Sequence, residues 1–167
     1  QLISIYESLM EMGEQHGLKD FGGQAFNSMR LEKMYRAYGA EFTEEISALE
    51  AGMDRFLDLS RDFIGSDNIR ERKTNGVNTK LAYLVFDDQL PAECFGNEAV
   101  FFGDKLSGII TSGAYGYRVG HSIAFAYIKP EHCKEGTNLT VDTSIGTRKC
   151  HVSMSASYDK DNEKLRV

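Results

Sequence analysis

The sequence predicts an α+β protein in which a helical and mixed N-terminal segment precedes a small antiparallel β-barrel. Apolar residues recur at helical spacing before residue 78 and alternate with a period of two after it. The later segments are short and evenly spaced, with glycine at the turns, which is typical of a small barrel or sandwich. We therefore predict two domains, 1–77 and 78–167.

Two helices are predicted near the N-terminus. The first places Leu2, Tyr6 and Leu9 on one face, and Gly13 and Gly17 mark its end. The second is shorter and begins near Gly22. Its apolar positions follow at Ala25, Met29 and Leu31.

Two further helices are predicted before residue 78. Helical spacing joins Leu49, Met53, Phe56 and Leu57, although Gly52 weakens that pattern. Segment 66–75 predicts a polar helix, because acidic residues at its start and basic residues near its end favour the helix dipole. Gly76 then stands where helices commonly end.

The C-terminal segment contains six predicted strands. Segment 79–86 is apolar at both alternating sets, so we expect both of its faces to be covered. Segments 99–102 and 105–111 flank Gly103-Asp104, which predicts a hairpin. Three more strands are predicted at 122–128, 137–144 and 148–155. The glycine-rich run 112–120 is either a hairpin or barrel corner, or a loop lying over a ligand.

Composition excludes several classes of function. The chain has 167 residues, a net charge of −6 and 41% hydrophobic residues, with ten phenylalanines and eight tyrosines to fill a core. Such a chain is not globally disordered. Its acidity argues against a nucleic-acid partner, and its apolar runs are too short for a membrane-spanning helix. We therefore predict neither a nucleic-acid partner nor a membrane.

Known catalytic and metal-binding motifs are missing from the sequence. The chain has no G-x-S-x-G, no phosphate-binding P-loop and no HExxH. Cys94, Cys133 and Cys150 are widely spaced and lack metal-ligand spacing, which predicts reduced thiols and no metal site. These patterns assign no catalytic residue.

The segment after the second helix offers candidate ligand contacts. The guanidinium of Arg30 suits a carboxylate, which could belong to a ligand or to a neighbouring side chain such as Glu32. Tyr35 and Tyr38 could stack on a flat ring or pack in the core. Both interpretations stay open at this point.

Five blocks of the sequence resemble one protein family. Residues 27–42, NSMRLEKMYRAYGAEF, are similar to the "LRLEKGYRxWGxEL" stretch of the dimethylglycine and sarcosine dehydrogenase family. The other blocks follow in the same order as in that family: LEAGM at 49–53, DFIG at 62–65, GIITSGAYG with SIAFAY at 108–127, and YDKDNEKLR at 158–166. Together the blocks span nearly the whole chain.

The resemblance implies a fold and a chemistry. The wider group includes the T-protein of the glycine cleavage system, an aminomethyltransferase that passes a one-carbon unit to tetrahydrofolate. By this resemblance, residues 1–77 are the end of a folate-binding region and residues 78–167 are the C-terminal barrel. The family's catalytic Asp and its pterin-holding Glu are expected upstream of Gln1, and FAD belongs only to a further upstream domain.

The resemblance also selects cofactor-binding candidates. Phe26 stands where the T-protein pattern "ARDSLRLE" has its folate-contacting Arg, and Arg30 matches the second Arg of that pattern, which we expect to be mainly structural. A folate needs an aromatic slot and cationic groups for its tail. The candidates are Phe26, Tyr35, Tyr38 and Tyr115 as walls, and Arg30 and Arg118 as charged contacts.

The predicted function follows from the family. We predict the C-terminal part of a folate-dependent aminomethyl transferase region in a flavin-dependent dimethylglycine or sarcosine dehydrogenase. The expected partners are folate and upstream domains of the same polypeptide, and the expected location is the cytoplasm, or the mitochondrial matrix in a eukaryote. The alternatives are a non-catalytic regulatory module and a stand-alone aminomethyltransferase of the T-protein kind.

Overall fold

A computed structural model describes residues 1–91 and 94–166. Its α-helices are α1 (Leu2–Gly13), α2 (Gly23–Glu32) and α3 (Ser66–Asn75). Its strands are β1 (Lys80–Phe86), β2 (Ala99–Phe102), β3 (Lys105–Gly116), β4 (His121–Ile128), β5 (Asn138–Thr143) and β6 (Gly146–Ser153). Across these described ranges, no helix combines the length and hydropathy that a bilayer crossing requires.

The predicted helices are confirmed at three of four places. α1 ends at Gly13 and α2 begins directly after Gly22, as predicted, and α3 has the predicted bounds 66–75. The helix predicted across Leu49–Leu57 is wrong. That stretch forms turns and a short 3₁₀ helix, Asp54–Phe56, because Gly52 takes a left-handed φ of 66° that interrupts a right-handed helix.

The six strands close into an antiparallel barrel, which confirms the predicted fold class. Their order around the barrel is β1-β4-β3-β2-β5-β6, and β6 pairs back onto β1. On β1, Leu84 lies opposite Ala124 of β4 on one side and Val152 of β6 on the other. Closure gives each of the six strands a hydrogen-bonded neighbour on both sides.

The core lies on both faces of the barrel wall. The barrel interior is filled by small and branched side chains, among them Leu84, Val100, Ile128, Val141 and Val152. A second cluster on the outer face joins Tyr83 of β1 and Phe125 of β4 to Leu31 of α2. The predicted coverage of both faces of β1 is therefore confirmed, and each such buried side chain contributes about 1.5–3 kcal/mol.

The glycine-rich run forms a hairpin rather than a free loop. Residues 112–116 complete β3, and a turn at 117–120 leads into β4. Within β3, a Cβ on Gly108 would lie 1.9 Å from the carbonyl oxygen of Tyr127, so only glycine allows β3 and β4 to approach this closely.

α1 contributes nothing to this core. None of its residues is buried, and five of its large apolar side chains besides Tyr6 are exposed. The Tyr6 hydroxyl donates a hydrogen bond to the Asp20 carboxylate, which ties α1 to the segment that follows it. The domain division near residue 77 stays a prediction, and the first barrel strand begins at Lys80.

Candidate functional site

α2 lies along β3 and fixes the candidate site to the barrel. The side-chain amide of Asn27 donates to the Gly113 carbonyl at 3.0 Å, and the Ser28 hydroxyl donates to the Tyr115 carbonyl at 2.7 Å. Leu31 packs with no exposed surface in the outer apolar cluster. These contacts hold the C-terminal end of α2 against the barrel wall.

Arg30 and Glu41 form a buried ion pair beneath the segment that follows α2. Arg30 Nη1 lies 2.9 Å from Glu41 Oε2, and Glu41 has no exposed surface. The Glu41 carboxylate also accepts hydrogen bonds from the Ala37 amide and from the hydroxyls of Thr111 and Ser112. Because every side of the carboxylate is engaged, this pair anchors the segment to β3.

Glu32 joins α2 to two other parts of the chain. Its Oε1 accepts a hydrogen bond from the Arg118 amide at 2.7 Å, and its carbonyl accepts one from the Tyr158 amide at 3.0 Å. A Cβ on Gly116 would lie 3.1 Å from the same Oε1, so glycine leaves the space that Glu32 occupies. Glu32 thus positions the β3–β4 turn and the C-terminal segment together.

Tyr158 lies between two cations on the surface. The Arg118 guanidinium carbon and the Lys164 Nζ each lie 4.9 Å from its ring centroid. Both side chains also donate to its hydroxyl, Arg118 at 3.1 Å and Lys164 at 3.0 Å. The hydrogen bond from Lys164, followed by the positive charge of Arg118, lowers the pKa of Tyr158.

Lys33 fastens the C-terminal segment to the end of α2. Its Nζ lies 2.9 Å from Asp159 Oδ2 and donates to the Asp159 carbonyl at 2.7 Å. The hydrogen bond from Lys33 lowers the pKa of Asp159. The charges of this pair therefore neutralise each other.

A cleft of about 590 Å³ opens between the end of α2, residues 52–56 and residues 154–162. Tyr35 is the one cofactor-binding candidate among its described lining residues. Arg36 and Arg55 also line the cleft, and neither was singled out from the sequence. The signal that could have found them is the recurrence of arginine beside an aromatic residue, at Tyr35-Arg36 and Arg55-Phe56.

The structure places the six cofactor-binding candidates around α2 without gathering them into one pocket. Arg30 is buried and donates to the Tyr35 carbonyl at 3.0 Å, which joins two of them. Tyr115 is half-buried against Tyr117, with the ring centroids 5.3 Å apart. Phe26, Tyr38 and Arg118 are exposed. Their roles in folate binding stay predictions.

The three cysteines are free and buried. Burial raises the pKa of the Cys94 and Cys150 thiols to about 12, and it also raises the pKa of Cys133. Such thiols are protonated at neutral pH and are poor nucleophiles. Within residues 1–91 and 94–166, no three side chains of the metal-binding kind come together.

Two domain families match the chain in sequence. The N-terminal domain of the glycine cleavage T-protein matches residues 1–61, and the C-terminal barrel domain of the same protein matches residues 80–159. The second match covers all six strands. The two matches occur in their expected order.

Individual relatives fall into two groups. The mitochondrial dimethylglycine dehydrogenase of Mus musculus is 37% identical over 142 residues, which cover 83% of this chain and 16% of that enzyme. An aminomethyltransferase of Corynebacterium aurimucosum is 36% identical over 159 residues, covering 94% of this chain and 42% of the relative. The chain therefore spans under half the length of either one.

A solved structure supports the fold. The glycine cleavage system aminomethyltransferase T of Bartonella henselae aligns with a TM-score of 0.74 at 18% identity, covering 81% of this chain and 38% of that one. At this level of identity the likeness establishes the architecture alone. It agrees with the helical segment and closed barrel described above.

Proposed function

The chain belongs to the glycine cleavage T-protein family, and from this premise we propose that it is the C-terminal part of a folate-dependent aminomethyl transferase region. We assign the whole protein to the flavin-dependent dimethylglycine and sarcosine dehydrogenases. The observation that carries this assignment is the 37% identity to mouse dimethylglycine dehydrogenase over 83% of the chain. The block EKMYRAYGAE at 32–41 favours the dehydrogenases over stand-alone transferases.

The chain's own contribution to the reaction is structural and positional. The barrel and α2 would close one side of a cavity in which a one-carbon unit meets the folate amine. Holding two reactants together and keeping water away are the main sources of rate in such a transfer. The acid–base residues would come from other parts of the protein, consistent with the absence of a known catalytic motif here.

The exposed face of α1 supports an interface with upstream domains of the same polypeptide. Leu2 and Ile3 are 81% and 74% exposed, and Ile5, Leu9 and Met12 are also exposed. An apolar surface of this kind marks an interaction site. We propose that α1 packs against the rest of the folate-binding region in the whole protein.

The proposed cellular compartment of this protein is taken from the names of its relatives. The dimethylglycine and sarcosine dehydrogenases of mouse are mitochondrial by name. In a eukaryote we propose the mitochondrial matrix for this protein, and in a bacterium the cytoplasm. Three buried free thiols fit a reducing compartment.

Equilibrium binding of a reduced folate tests the proposal. We would titrate 5-formyltetrahydrofolate into this chain alone and into a chimera in which the chain replaces the matching C-terminal part of mouse dimethylglycine dehydrogenase. The proposal expects weak or undetectable binding to the chain alone and tight binding to the chimera. Equal, tight binding to both would show that no upstream residue is needed and would overturn it.

The mouse enzyme truncated before the replaced part is the matched control. It should bind the folate more weakly than the chimera does, because it lacks the barrel side of the cavity. If truncated enzyme and chimera bind equally, the barrel has no part in folate binding.

A further inference from the structure

We propose that the cleft between α2 and the C-terminal segment is a binding site for an aromatic carboxylate, with Arg36 as its main anchor. The inference rests on this chain's own residues and does not depend on the folate assignment. Three features of the cleft carry it: its charge, its apolar walls and the way Arg36 is held.

The cleft is cationic in an acidic protein. The chain carries a net charge of −6, so its overall composition does not predict a cationic cleft. The charged side chains that line the cleft are Lys33, Arg36, Arg55, Lys160, Asp159 and Asp161. Lys33 and Asp159 neutralise each other across 2.9 Å. The cations that remain are Arg36, Arg55 and Lys160, and the remaining carboxylate is that of Asp161. This excess of positive charge favours an anionic ligand.

Arg36 is held so that part of its guanidinium stays available. Its Nε donates to the Ala51 carbonyl at 2.8 Å, and its guanidinium carbon lies 5.9 Å from the Phe125 ring centroid. Neither Nη atom has a hydrogen bond or ion pair among the described residues, although Arg36 is half-buried. A rigid guanidinium with free Nη groups matches the geometry of a carboxylate.

Gly52 provides the space that this arrangement needs. A Cβ at residue 52 would lie 3.3 Å from Arg36 Nη2, and the φ of Gly52 is 66°. The turn that broke the predicted helix is therefore the turn that brings Arg55 into the cleft beside Arg36. Burial lowers the pKa of Arg36, and the charge of Arg55 lowers it further. The negative charge of a bound anion would favour the charged form of Arg36 and so act against both effects.

The remaining walls suit a flat apolar body. Tyr35 and Phe56 are 47% and 63% exposed, so a ligand can reach both rings. The Arg55 guanidinium carbon lies 4.6 Å from the Phe56 ring centroid, so a ligand on Phe56 would also meet Arg55. Met53 and Met154 add flexible apolar surface to the same cleft. The volume of about 590 Å³ lies in the range of small-molecule sites. Aromatic walls beside guanidinium groups define an aromatic carboxylate as the ligand class.

Calorimetric titration of this chain with simple probes tests the proposal. The probes are benzoate, isophthalate, neutral isophthalamide and inorganic phosphate. We expect isophthalate to bind with a dissociation constant of about 1 mM or below, and isophthalamide at least tenfold more weakly. Added salt should weaken the binding of isophthalate. Phosphate binding as tightly as isophthalate would overturn the aromatic selectivity.

Two variants locate the site. Arg36→Lys keeps the charge but loses the paired Nη donors, and Arg55→Gln removes an exposed charge with little risk to folding. Each should weaken isophthalate binding at least fivefold with an unchanged circular dichroism spectrum. Arg55→Gln should also keep the thermal midpoint, whereas Arg36→Lys loses the hydrogen bond to the Ala51 carbonyl and should lower it slightly. Arg61→Gln is the matched control, because Arg61 is 83% exposed and pairs with Asp58 outside the cleft.

Either of two results would overturn the assignment. One is the absence of isophthalate binding to the unaltered chain at 10 mM probe. The other is binding that Arg36→Lys and Arg55→Gln leave unchanged, or that Arg61→Gln weakens equally. Neither result bears on folate binding by the chimera, so failure of this proposal is distinguishable from failure of the proposed function.

Discussion

Replacing Glu41 with alanine should destabilise the chain severely, because Glu41 is the buried partner of a buried arginine. Its carboxylate lies 2.9 Å from Arg30 Nη1 and has no exposed surface. Removing it leaves the guanidinium of Arg30, only 8% exposed, without a counter-charge. Breaking one side of a buried pair costs about 3–5 kcal/mol, a large share of the typical 5–15 kcal/mol of a domain.

Urea and thermal unfolding followed by circular dichroism measure this cost. For a chain of this size, a loss of 3–5 kcal/mol should lower the thermal midpoint by roughly 6–20 °C. The hydroxyls of Thr111 and Ser112 also lose the Glu41 carboxylate as a hydrogen-bond acceptor, which adds to the effect. Arg61→Ala serves as a control, since its exposed pair with Asp58 should be worth less than about 1 kcal/mol.

A double-mutant cycle tests the reasoning itself. The cycle consists of Arg30→Met, Glu41→Leu and the double variant, which removes both charges. The double variant should lose less free energy of unfolding than the two single variants lose in sum, by more than about 1 kcal/mol. A loss below about 1 kcal/mol for Glu41→Ala, or strict additivity in the cycle, would refute the claim that this ion pair anchors the segment after α2.

Three further predictions follow from other contacts. Lys33→Met should release the C-terminal segment, because Lys33 binds both the carbonyl and the carboxylate of Asp159; amide exchange at 158–166 should accelerate, and unchanged exchange would contradict this. At pH 8 the buried thiols should react with a disulfide reagent far more slowly in the native chain than in urea, since burial raises the pKa of Cys94 and Cys150 to about 12; equal rates would be inconsistent with the buried placement. Gly108→Ala should cost about 1–3 kcal/mol or prevent folding, because its Cβ would lie 1.9 Å from the Tyr127 carbonyl oxygen, whereas Gly23→Ala, in open space, should change the free energy of unfolding by less than about 1 kcal/mol.

Elements with local signals were predictable from the sequence. α3 is specified by its own charges and by Gly76, so both of its ends were found. β1 is apolar on both alternating sets, so its two-sided burial was found as well. The helix across 49–57 failed because the turn at Gly52 is held by distant contacts. One is the Glu50 carboxylate, which pairs with Arg72 at 2.9 Å.

The candidate site depends on contacts that no local pattern encodes. Structural pairing of Arg30 was one of the alternatives from sequence, but its partner is Glu41 rather than the neighbouring Glu32. The cleft that Arg36 lines lies between the end of α2 and residues 154–162, which are more than 100 positions away in the sequence. Such a juxtaposition follows from barrel closure and from the return of the C-terminal segment, neither of which has a periodic signature.

The most direct test of the account is product formation by the chimera with mouse dimethylglycine dehydrogenase. With dimethylglycine and tetrahydrofolate, the chimera should form methylenetetrahydrofolate, whereas the enzyme truncated before the replaced part should oxidise dimethylglycine and release the one-carbon unit as formaldehyde. A chimera that oxidises dimethylglycine normally but releases only formaldehyde would contradict the assignment of this chain to the folate-dependent transfer step.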